Sequence, residues 1–135
     1  MRPHTFKSAV LEEQNKPLAI RMLNVPDTLY VGQVLDRVQY SGICGAQQNE
    51  ISGVKGPDKF LPHTLGHEGG GVVVAAGPGV HSVRPGDHVV MHWRKGVGIE
   101  SILPKYYCNE LSKEVGGGSV TTFQQYSVVS ENRIT

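Results

Sequence analysis

The chain has 135 residues, 39% hydrophobic and 19% charged, which is enough for one globular core and too few for two. Thirteen lysines and arginines against twelve acidic residues leave a net charge of +1, so there is no basic footprint for nucleic acid or for an anionic membrane. The longest apolar run, Val72 to Ala76, is far too short to span a bilayer. Cys44 and Cys108 form one disulfide at most, and no secretory leader is visible in the first residues, so reduced thiols in a cytoplasmic protein are expected.

Short alternating or apolar runs, rich in β-branched residues and bounded by Gly, Pro, Asn or Asp, predict strands at Thr5 to Val10, Leu18 to Leu23 and Gln33 to Tyr40. Ser41 to Ile51 reads as one short helix, weakened by Gly42 and Gly45. Further strands are predicted at Gly71 to Ala76, His88 to Trp93 and Val120 to Val129. Turns fall at Asn15-Lys16-Pro17, Gly77-Pro78-Gly79 and Arg84-Pro85-Gly86-Asp87, where Pro presets φ and Gly permits its positive values. The stretch from Arg94 to Gly118 carries no clear period and is expected to leave the β core as a long loop or lobe. Many strands and one short helix predict a mainly β barrel or sandwich.

The segment Leu65-Gly66-His67-Glu68-Gly69-Gly70-Gly71-Val72-Val73 places two metal-competent side chains beside glycines that let another backbone or a ligand approach. On its own it is equally a His and a Glu exposed at a strand start. It is preceded by Tyr40-Ser41-Gly42-Ile43-Cys44-Gly45 and followed by Pro85-Gly86-Asp87-His88-Val89. With Gly32-Gln33-Val34-Leu35, Leu61-Pro62-His63, Gly77-Pro78-Gly79-Val80 and Tyr126-Ser127-Val128-Val129, this ordered set resembles the catalytic domain of the zinc-dependent alcohol dehydrogenases of the medium-chain dehydrogenase/reductase superfamily.

The resemblance implies a GroES-like, partly open β-barrel over residues 1–135. It implies Cys44 and His67 as ligands of a catalytic zinc, with Glu68 beside the metal as an occasional ligand. It also implies oxidation of an alcohol, such as a sugar or polyol, by hydride transfer to NAD or NADP. Thiolate, imidazole and a third protein ligand with one open position suit a catalytic zinc. Relatives place an aromatic residue near Trp93 to line the substrate pocket; packing in the core or under the lobe is the other reading of this residue. His4, His63 and His81 are expected in ordinary surface or hydrogen-bonding roles.

Three departures from that family are visible. No strand, Gly-x-Gly-x-x-Gly turn and helix follow one another here, so the resemblance supplies NAD or NADP only through a second, Rossmann-type domain; in relatives the third zinc ligand also lies beyond this domain's first part, and both are expected to be missing here. Ala46 and Gln47 stand where many relatives carry a proton-relaying hydroxyl and an acidic residue; either water, Asn49 or His92 serves instead, or nothing replaces the relay and activity is lost. Cys108 is alone where many relatives carry four cysteines, which excludes a closed structural zinc site and leaves only a surrogate-ligand role to weigh against an ordinary lone cysteine in a loop.

The expectation is therefore a catalytic-domain homologue that is inactive alone, with a weak or incomplete zinc site. A GroES-like module for binding or self-assembly, without catalysis, is the alternative. Open strand edges and uncovered apolar surface predict self-association, with a dimer favoured.

Overall fold

The computed structural model describes residues 4–53 and 56–135. Met1 to Pro3, part of the start read above for a leader, lie outside the described residues. Among the described residues nine strands form two sheets: β1 (Thr5–Leu11), β2 (Ala19–Asn24), β3 (Gln33–Ser41), β4 (His63–Thr64), β5 (Glu68–Ala76), β6 (His88–His92), β7 (Lys105–Cys108), β8 (Lys113–Gly116) and β9 (Tyr126–Ser130). The short helix α1 (Gly45–Ser52) follows β3, and a single 3₁₀ turn (Glu131–Arg133) follows β9. The strand order is β2-β1-β4-β8-β7 in the first sheet and β6-β5-β3-β9 in the second.

The alternation read in the sequence has its physical counterpart in β1, where Phe6, Ser8 and Val10 turn inward and Thr5 and Lys7 outward. Residues 123–125 stitch the sheets together: Ala9 N–H donates to Phe123 O, Gln125 N–H to Lys7 O, and Val38 N–H to Gln125 O. At the far side of the first sheet β2 approaches β7, and Met22 N–H donates to Glu110 Oε1 across the gap. The result is a nearly closed barrel. Its larger core gathers Phe6, Leu23, Leu35, Tyr106, Val115 and Val128. Phe6 and Tyr106 meet edge-to-face at 5.3 Å, and the buried Tyr106 hydroxyl accepts the Val128 N–H at 2.8 Å.

Two expectations are refined. The stretch from Arg94 to Gly118 does leave the core as an irregular loop, but it returns as the β7–β8 hairpin and joins the first sheet by the parallel bridge His63↔Gly116. The run Val120 to Val129 is a strand only from Tyr126, because Thr122 and Phe123 N–H groups both turn to Leu65 O instead of a strand ladder. The helix forms but begins only at Gly45, since Ser41 still belongs to β3 and Cys44 is extended; it ends at Gly53, which takes φ +72° and donates its N–H to Asn49 O.

The glycine run has a steric cause. β3 and β5 approach so closely that a Cβ on Gly71 would lie 2.2 Å from Arg37 O, beside a register shift between Val38 and Tyr40. We expect Gly71→Ala to cost about 3 kcal/mol in thermal or urea denaturation. Gly45→Ala is the control: nothing lies within 4 Å of its Cβ position, and the helix should gain up to about 1 kcal/mol. Equal stabilities for the two variants would refute the close-approach account.

Candidate metal centre

The pairing of β3 with β5 builds the site. Ser41 at the end of β3 lies opposite Gly69, and Gly42 N–H donates to Glu68 O, so the segment carrying Cys44 leaves the sheet where His67 and Glu68 enter it. Gly66, at φ +95°, makes the sharp entry; a Cβ there would meet Thr122 Oγ1 at 2.5 Å. Among the described residues, Cys44, His67 and Glu68 form one group whose ligand atoms all lie within 4.8 Å of one another. Cys44 and His67 are half-buried and Glu68 is exposed. Both cysteines are free.

The donor set and the room beside Glu68 suit a cation, and one amide ties two of the ligand segments together. Gly42 leaves room for the Glu68 carboxylate, since a Cβ there would stand 2.5 Å from Glu68 Oε2. Gln47, in the first turn of α1 and buried, bridges two ligand segments: its Oε1 accepts the Cys44 N–H at 2.8 Å, and its Nε2 lies 2.7 Å from His67 Nδ1. His67 Nε2 is left as the ring nitrogen for a metal. A thiol, an imidazole and a carboxylate are the donor types that zinc accepts. Beside the group opens a cleft of about 630 Å³, walled by Gln47, His67, Leu61, Leu103, Pro104 and Val120 among others.

The other sequence-predicted residues fall elsewhere. Trp93 follows His92, the β6 residue paired with Glu68, but its side chain is 66% exposed, so packing in the core or under the lobe is corrected. Cys108 is fully buried in the larger core and does not join the metal-competent group, which makes it an ordinary apolar filler. Ala46 and Asn49 line a separate cleft with Gln14, Gly53 and Phe60. The His92 ring is engaged by Arg94 O and the Thr135 hydroxyl. His63 has a stronger partner than composition suggested: Nε2 lies 2.6 Å from Asp58 Oδ2 and Nδ1 lies 2.9 Å from Thr64 O. Burial would raise the Asp58 carboxyl, but the hydrogen bonds from His63 and Phe60 N–H bring it below the ordinary range. No spacing rule would have found that pair.

Residues 31–135 match the family described as the alcohol dehydrogenase GroES-like domain. The chain belongs to that family. This GroES-like domain is 44% identical over 84 residues to an alcohol dehydrogenase class-3 of Cereibacter sphaeroides, covering 62% of the chain and 22% of the relative. It is 42% identical over 84 residues to an S-(hydroxymethyl)glutathione dehydrogenase of Paracoccus denitrificans, with 62% and 22% covered. Among solved structures, an alcohol dehydrogenase zinc-binding domain protein from Burkholderia ambifaria shares the fold at TM-score 0.77 and 20% identity, covering 96% of this chain and 41% of that one. A cobalt- and zinc-bound thermostable alcohol dehydrogenase from Pyrobaculum aerophilum gives 0.73 and 26%, with 98% and 41% covered. The GroES-like domain thus spans less than a quarter of the length of these curated relatives.

Proposed function

We propose that this GroES-like domain is the metal-holding, substrate-facing part of a zinc-dependent alcohol dehydrogenase, in which NAD or NADP is held by a separate dinucleotide-binding domain. The observation that carries the reading is the convergence of Cys44, His67 and Glu68 ligand atoms within 4.8 Å. Cys44 and His67 would hold the zinc, with Glu68 as the third protein donor. When bound, the zinc supplies Lewis acidity toward an alcohol or carbonyl oxygen.

The chain's own residues do the rest. Gly42 seats the Glu68 carboxylate, Gln47 orients the His67 ring, and the cleft beside His67 offers apolar walls for a carbon skeleton. Trp93, exposed next to the strand residue that faces Glu68, would wall the substrate from that side. Ala46 has no hydroxyl to receive a proton, so the alcohol proton would leave through water. Hydride transfer needs donor and acceptor held together in one site, so the domain by itself would bind metal without turning over.

Elemental mass spectrometry on the untagged protein tests this. About one zinc per chain is expected in the parent, removable by a chelator, and little in Cys44→Ser or His67→Ala. A parent protein that carries no zinc after growth and dialysis in zinc-containing medium would overturn the reading and leave a binding module.

A further inference from the structure

The first turn of α1 and the entry to β5 meet at one amide. Gln47 is 2% exposed, with Oε1 at 2.8 Å from the Cys44 N and Nε2 at 2.7 Å from His67 Nδ1. A backbone N–H only donates, so the amide oxygen must face Cys44, and the NH₂ group is thereby committed to His67. An NH₂ group also only donates, so Nδ1 of His67 must accept. In a neutral imidazole one nitrogen accepts and the other carries the proton. The ring proton of His67 therefore sits on Nε2, the nitrogen left for a metal.

We infer that Gln47 holds metal-free His67 as the Nε2–H tautomer, and that loading a metal through Nε2 requires this amide to turn and give up its bond to Cys44. The inference rests on the metal reading of Cys44, His67 and Glu68. For Nε2 to become a ligand, the ring proton moves to Nδ1, where it meets the Gln47 NH₂ group, donor against donor. Turning the amide relieves that contact but sets NH₂ against the Cys44 N–H at the helix start. A carboxylate in the same place has no such conflict, since its two oxygens accept both N–H groups at once. Gln47 is thus a positioning residue that keeps metal affinity low. Gln47→Glu is isosteric and places an acid in the first helical turn, where it suits the helix.

Long-range ¹H–¹⁵N correlation on the metal-free protein reads the tautomer directly. The parent should show Nε2–H and Gln47→Glu should show Nδ1–H. Zinc competition against a chromophoric chelator should give roughly ten- to a hundredfold tighter binding for Gln47→Glu. An Nδ1–H parent overturns the inference, and that measurement needs no variant to fold. Unchanged zinc affinity in Gln47→Glu, with both tautomers as expected, overturns the claim that the amide limits loading. If neither protein binds zinc, the metal-centre reading falls and the loading claim with it, while the NMR result alone decides the tautomer.

Discussion

Glu131→Gln will lower the melting temperature by about 10 °C at neutral pH and remove most of the acid-sensitive part of the stability curve. Glu131 is buried, and its two carboxylate oxygens accept the backbone N–H groups of His81, Ser82 and Ile99 and the Ser82 hydroxyl at 2.8–2.9 Å. It therefore pins the turn after β5 and the loop after β6 to the end of β9. Burial alone would raise this carboxyl, but the hydrogen bonds from Ile99, Ser82 and His81 outweigh it and bring the pKa from 4.5 to about 2. The unfolded chain takes up this proton first as pH falls. The stabilisation, about 3 kcal/mol, is complete above pH 4.5 and is lost as pH drops toward about 2. Glutamine fills the same volume but turns an NH₂ group toward N–H donors. Urea titrations at pH 7 and pH 3 check this; an equal deficit at both would refute the charge-assisted clamp.

The opposite sign is expected at Asp36. This residue lies in the middle of β3, fully buried, and neither carboxylate oxygen has a hydrogen-bond partner. Burial holds its carboxyl well above the ordinary 3.8. The folded protein keeps the proton while the unfolded chain releases it, so this group's contribution is fully present below pH 3.8. It is lost as pH rises, by up to about 1.4 kcal/mol per pH unit, until the folded carboxyl also ionises. Asp36→Val, close in shape and apolar, should therefore stabilise by about 2–4 kcal/mol at pH 8 and by much less at pH 4. Asp36→Asn should recover part of that gain, since it removes the charge but keeps an unpaired polar group. Denaturation at the two pH values decides it: a gain independent of pH would sink the idea.

The long strands were legible because their alternation meets a half-buried sheet surface, and the glycines at 69–71 because a neighbouring backbone or side chain crowds each of them. Gly71 faces Arg37 O, while Gly70 lies under the Tyr40 ring. The cluster of Cys44, His67 and Glu68 was legible as a motif, since β3 and β5 carry it to one end of a sheet. The β7–β8 hairpin was not: each strand has four residues, and its place is set by a bridge from His63 to Gly116 that no local pattern announces. Val120 to Gln125 has the composition of a strand, but its backbone is claimed by Leu65 and β1. Gln47 could be seen as a missing acid; that its amide joins two ligand segments is a property of tertiary packing alone.

Helix α1 has eight residues and buries one of its side chains, Gln47. A helix this short does not persist in isolation. Its start is tied to the Cys44 N–H and the His67 ring, and its end to Asn15, whose N–H donates to Ile51 O. Fraying of the first turn and scattering of the ligand set are consequently the same event. Backbone amide hydrogen exchange along α1 is then a direct gauge of how often the metal-free centre falls apart.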